Sequence, residues 1–342
     1  MKKIIKMKST LMQVVAMSLI SVVATSCMGG SPNTEESNVV KANTLTFPKH
    51  ITIENIALNP EGIEYDKNDH TFLLSSLNAA PIVKIDLHGT YKPFTSGEPY
   101  PMSTAGLQVD YKRNRLLVAA FNGTELMDND PTTKGTAHLR IYDLSTGVMK
   151  QDIDLSSLVP DADAYFANDV AVDGDGNVYI SDWYASLVYK VDTEGAATLF
   201  WRNNSGIPGG PNGLDVHPDG YLLVSIINDS YKRHGLIKIP LNNPAASTTV
   251  QIDDTRFAGF DGMVVTSNGD VVGVTNNQKT PGGNMLLELS TKDAWKSADI
   301  ITAKEITTST TIAVTPEHNY YVINQDFSDN FKKVWNIELI EP

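Results

Sequence analysis

The stretch PNGLDVHPDGYLLVS, Pro211 to Ser225, carries the pattern on which the fold turns. Apolar Leu214 and Val216 alternate with Asp215 and His217, and the run then meets Pro218-Asp219-Gly220. Such residues tolerate the backbone angles of a tight turn. Tyr221 to Ser225 resumes as a second apolar strand, so the stretch reads as an antiparallel hairpin. A lone hairpin is marginal in water, and the fold therefore depends on whether the pattern recurs.

It occurs six times. Gly62 to Asp66 is followed by Phe72 to Ser76, Gly106 to Asp110 by Leu116 to Ala120, and Asp169 to Asp173 by Val178 to Asp182. After the fourth copy, Gly262 to Thr266 is followed by Val271 to Val274, and Thr311 to Thr315 by Tyr320 to Ile323. The starts lie 44, 63, 44, 49 and 49 residues apart. A third alternating strand follows in every unit, as in Leu187 to Val191. A fourth follows in five of them, as in Ala197 to Trp201. The sixth unit reaches Pro342 without one. Thr44 to Ile56, ahead of the first repeat, has strand composition and is expected to pair onto the last unit, which covers two sheet edges. The expected fold class is all-β: a six-bladed β-propeller over residues 44–342, closed by an N-terminal strand pairing with the last blade. The longest interval holds 14 to 19 extra residues, placed in Thr124 to Ala137 and Val159 to Ala167. Insertions of this kind fall in loops, often on the binding face.

Stacking the six units exposes the residue just before each shared pattern: Glu61, Ala105, Asn168, Asn212, Asp261 and Thr310. The first strand of a blade lines the channel, so these positions are expected to converge near the axis. Glu61, Asn168, Asn212 and Asp261 supply two carboxylates and two amides, an oxygen set suited to one divalent cation of the calcium type. Zinc would call for His or Cys, and neither stands in the ring. Turn chemistry at strand starts also favours Asn and Asp, and accounts for one or two of the four.

Four stretches, Pro60-Glu61-Gly62, Asn168-Asp169-Val170, Pro211-Asn212-Gly213-Leu214 and Phe260-Asp261-Gly262-Met263, together resemble the senescence marker protein (regucalcin) and gluconolactonase family, and more distantly the paraoxonases. The resemblance covers most of the chain beyond the N-terminal segment. It implies a six-bladed propeller with a catalytic calcium or similar ion, and hydrolysis of sugar lactones or related esters. It also implies that Glu61, Asn212 and Asp261 are metal ligands, that Asn168 contacts metal or substrate, and that Asp261 acts as general base. The chain departs from the paraoxonases in blade 2, where Ala105 replaces a histidine and Asn122 stands near the place of a second.

Loops between second and third strands should surround the same mouth. They bring Phe121, Tyr184, Asp229, Tyr231 and Asn277 there, with Asn122, Asp182, Trp183, Asn228 and Asn276 expected to touch a small-molecule lactone, ester or sugar-derived ligand. Trp183 and Tyr184 offer faces for stacking on a sugar or an apolar acyl group. His217 lies in a turn and reads as structural. There is no serine nucleophile elbow and no phosphate-binding loop. A rival from another class is a non-enzymatic propeller that binds a glycan or protein partner and keeps a structural metal ion.

The first residues concern export. Met1 to Lys8 carry four lysines and no acid, and Leu11 to Val23 are mostly apolar, the pattern of a signal peptide over residues 1–26. That run is shorter than the ~20 residues that span a bilayer. Ala24-Thr25-Ser26 leads into Cys27, the single cysteine, and resembles a bacterial lipobox, which implies lipidation at Cys27. A plain secretory signal is the alternative. Residues 27–43 read as a flexible tether. The expected product is an exported bacterial lipoprotein, periplasmic or cell-surface, held to the membrane by its lipid anchor only. Losing the four lysines takes the formal charge from −13 to −17, which argues against nucleic acid as a partner.

Overall fold

The structure is a computed structural model, and it describes residues 45–98, 101–122, 135–228, 234–276, 283–324 and 333–341. Thr46–Pro342 forms one compact unit. Its strands make six four-stranded antiparallel sheets, which are the six blades. Cys27 and the export segment lie outside the described residues, as do Asp229, Tyr231, Asn277 and most of the first insertion.

Blade 6 shows how the ring closes. Its inner strands are Ile312–Val314, Tyr320–Ile323 and Val334–Ile340, and its outermost is His50–Glu54 from the other end of the chain. His50 pairs with Glu338 and Glu54 with Val334. Alternation makes this possible, because Ile51 and Ile53 are buried while His50, Thr52 and Glu54 face water. The two isoleucines enter a cluster with Tyr65, Phe72, Tyr321 and Trp335 that joins blade 6 to blade 1. The Tyr321 hydroxyl donates to the Pro48 carbonyl at 2.6 Å, fixing the entry to the closing strand.

The innermost strands position the channel. In blades 2, 3 and 4 these are Ser103–Asp110, Ala167–Val172 and Gly210–His217. Each slips register at the same place: between Thr104 and Leu107, Ala167 and Val170, and Pro211 and Leu214. A bulge re-aims side chains and frees backbone groups. In blade 3 the freed N–H of Asp169 donates to the Ser181 hydroxyl at 3.0 Å. Gly62 does the same to Ser75 in blade 1, at 2.7 Å. The glycine after the ring residue allows close approach. A Cβ at Gly62 would lie 2.2 Å from the Ala105 carbonyl oxygen, and one at Gly213 2.5 Å from that of Asp261.

Neighbouring blades are also stitched by side chains along the axis. Glu64 accepts the Val109 N–H, Gln108 the Val172 N–H, Asp169 the Leu214 N–H and Asp215 the Val265 N–H, at 3.3, 2.9, 3.1 and 2.7 Å. Each bond runs from one blade to the next. The Thr310 hydroxyl donates to the Glu61 carbonyl at 2.6 Å and links blade 6 to blade 1.

Candidate functional site at the channel mouth

Asn168 and Asn212 sit within the bulged stretches of blades 3 and 4, while Glu61 and Asp261 precede the first strands of blades 1 and 5. Glu61, Asn168, Asn212 and Asp261 are all buried, the most exposed at 8%. Asp261 is the best-held: Asn276 Nδ2 donates to its Oδ2 at 3.1 Å, and the Asn212 amide donates to it as well. That bond uses the nitrogen end of Asn212 and leaves Oδ1 buried without a hydrogen-bond partner. The Glu61 carboxylate accepts no hydrogen bond within the described residues. Ala105 of blade 2 has no side-chain oxygen, and the Thr310 hydroxyl of blade 6 donates its proton to the Glu61 carbonyl.

Burial dominates the electrostatics here. It pushes the Glu61 carboxyl well above the usual range, and the negative charges of Asp261 and Asp169 push it further. Burial raises Asp261 to about 7 against the pull of its two amide donors. Deeper in the channel, burial raises Asp169 to about 7 and Asp215 to about 6, although backbone N–H groups bond both. Glu64 is raised to about 8 by burial, with Asp215, Asp169 and Asp66 adding to it. None of the ion pairs among the described residues reaches these five acids. Two carboxylates, an orphaned amide oxygen and, among the described residues, no cationic side chain paired with them make a donor set that fits a hard divalent cation. Among the described residues, no group of three His, Cys, Asp or Glu side chains is gathered for a metal, so this set is complete only with its amides.

The flanking residues divide. Asn276 joins the ring through Asp261. Asn122 ends the second strand of blade 2 and is buried, and Asn228 follows the second strand of blade 4 and is partly buried. Trp183 lies between blades 3 and 4, its indole N–H donating to the Ile227 carbonyl at 3.0 Å. Asp182 was expected to touch ligand, but its carboxylate is turned inward and fully buried. One oxygen takes the N–H groups of Phe166 and Ala185, and the other the Tyr189 hydroxyl, so it holds the loop. His217 is structural as expected: it stacks on Tyr221 at 4.4 Å, at the far end of its strand from Asn212.

Phe166 is a residue the repeat pattern does not reveal. It lies in the second insertion, two positions before Asn168, with its ring 4.2 Å from that of Phe121. The Tyr165 hydroxyl donates to the Val159 carbonyl at 2.8 Å and closes this insertion on itself.

Six four-stranded blades around a channel lined by acids and amides define a six-bladed β-propeller with a polar mouth. The same fold is found in several solved structures. One is a gluconolactonase from Xanthomonas campestris, with a TM-score of 0.56 and 15% identity over 85% of this chain and 89% of that one. Another is a calcium-binding protein, regucalcin, from Agrobacterium tumefaciens, with a TM-score of 0.54 and 16% identity over 86% and 95%. A virginiamycin B lyase from Staphylococcus aureus matches with a TM-score of 0.51 and 12% identity over 85% and 99%. No protein-family model and no curated protein matches the chain.

Proposed function

We propose that this propeller binds one divalent cation, calcium, through Glu61, Asn168, Asn212 and Asp261, and hydrolyses lactones or related esters at the channel mouth. The observation that carries the reading is the Asn212 Oδ1 left buried and partnerless beside the Asp261 carboxylate. An unsatisfied buried acceptor costs about 1–3 kcal/mol, and a cation at the axis would remove that cost.

Such an ion supplies Lewis-acid polarisation of the scissile carbonyl. The chain's own residues do the rest. Asp261 is the general base, and the amide bonds from Asn276 and Asn212 fix its orientation toward the axis. Glu61 and Asp261 together balance the ion's charge, so the mouth suits a neutral substrate.

Calcium-dependent turnover of a panel of lactones and aryl esters, run with Asp261→Ala and Asn212→Ala, tests this. Turnover is expected to require calcium and to fall at least about a hundredfold in Asp261→Ala. Calcium binding without turnover across the panel would favour the non-enzymatic rival, and unchanged calcium affinity in both variants would remove the site. We also propose export and acylation at Cys27. Radiolabelled palmitate should be incorporated in cells by the native chain and lost in Cys27→Ser; equal labelling of both would end that proposal.

A further inference from the structure

In every blade the register sets one residue of the second strand opposite the ring residue. From blade 1 to blade 6 it is Ser75, Ala119, Ser181, Ser225, Val274 and Ile323. The three serines are fully buried. Each hydroxyl accepts a backbone N–H beside a candidate ligand. Ser75 takes that of Gly62, directly after Glu61, at 2.7 Å. Ser181 takes that of Asp169, directly after Asn168, at 3.0 Å. Ser225 reaches into the next blade and takes that of Phe260, directly before Asp261, at 2.7 Å.

We infer that Ser75, Ser181 and Ser225 are positioning residues for the cation ring, holding the backbone at Glu61, Asn168 and Asp261 so that these side chains are aimed at one ion. The inference rests on the cation reading above and not on the hydrolase chemistry.

The blades without such a hydroxyl carry the argument. Blade 2 has the same register slip as blades 3 and 4, yet Ala119 stands opposite it, so the bulge forms without a serine. What blade 2 lacks is a ligand, since Ala105 occupies its place in the ring. In blade 6 Ile323 faces Thr310, whose hydroxyl donates to the Glu61 carbonyl. Blade 5 supplies Asp261 but has Val274 at the facing position, and there the hydroxyl comes from Ser225 of blade 4. The serines therefore follow the candidate ligands and not the geometry of the blade. At Glu61 the hold is double, because the peptide that joins it to Gly62 is bonded at its carbonyl by Thr310 and at its N–H by Ser75. A peptide plane held at both ends resists the rotation that would swing the carboxylate aside. Partners behind a ligand act in this way, by fixing its orientation.

Calorimetric calcium titration at pH 8 and thermal unfolding in chelator test the inference on Ser75→Ala, Ser181→Ala, Ser225→Ala and Thr95→Val. Thr95 is the control, a buried hydroxyl just after the outer strand of blade 1 that accepts the Ile82 N–H at 3.0 Å. Each variant leaves a buried donor unpaired, so all four should unfold at lower temperature than the native protein in chelator. The serine variants should in addition bind calcium at least about tenfold more weakly, while Thr95→Val keeps the native Kd. Ser181→Cys, a weaker acceptor at the same place, should fall between the native protein and Ser181→Ala. It decides the matter if the alanine variants do not fold, and a native Kd there overturns the inference. Native calcium affinity in the serine variants, whatever their unfolding temperature, would make these residues supports of the fold alone and overturn it. An equal loss in Thr95→Val would do the same. No calcium binding by the native protein would end the cation reading itself, and this inference with it.

Discussion

Asp261 owes its character to two opposed effects at a single carboxylate. Burial raises it to about 7, while the amides of Asn276 and Asn212 donate to the ionised form and pull it down. Removing one donor should therefore show as a pH effect. In Asn276→Ala the proton leaves Asp261 at a higher pH, and calcium affinity at pH 7 is expected to fall about tenfold, as for the loss of a group that orients a ligand. At pH 9 the acid is ionised in both proteins and the affinities should converge. Calorimetric titration at the two pH values checks this. An equal loss at both would mean that Asn276 only supports the fold.

At the scale of the strand, closure is the element most open to test. Ile51 and Ile53 alternate into the seam while Thr52 faces out. Ile53→Ala leaves a cavity among Tyr65, Phe72 and Trp335, and should lower stability by about 2–5 kcal/mol in urea unfolding, with Thr52→Ala within about 0.5 kcal/mol. A small effect of Ile53→Ala would mean that the ring holds without its closing strand. This closure is legible in the sequence because a blade short of one strand and a spare strand at the other end form a matched deficit and surplus. The convergence of Glu61, Asn212 and Asp261 is legible for a similar reason, since a repeat places equivalent residues at equivalent points. What the pattern does not contain is the identity of hydrogen-bond partners. Asp182 stands in a polar loop and reads as exposed, yet its partners are Phe166, sixteen residues earlier, and Tyr189, seven later. The bulges escape notice too, because alternation survives on either side of them. Phe166 is hidden in an insertion, where no repeat register exists to point at it.

For the whole molecule, the consequence lies in the column of acids along the axis. Glu61, Glu64, Asp169, Asp215 and Asp261 all hold their protons more tightly than in an unfolded chain, the last four at about 6 to 8. The native state therefore binds more protons than the unfolded one above the ordinary carboxylate range of about 4. Stability falls with rising pH wherever that is so. With the divalent cation chelated, Tm is expected to decline from pH 5 to pH 8. Other acids, such as Asp173 and Asp293, are shifted downward and act only below that window. Calcium needs the ionised carboxylates, so its stabilising effect should grow across the same range. At a hundredfold excess over Kd the gain at pH 8 is about 2.7 kcal/mol, or roughly 5 °C for a domain of this size. Thermal unfolding at pH 5.5 and pH 8, each with calcium and with a chelator, measures both slopes. A chelated Tm that is flat or rises with pH would show that the axial acids are not holding protons. A calcium gain no larger at pH 8 than at pH 5.5 would separate the cation from that column.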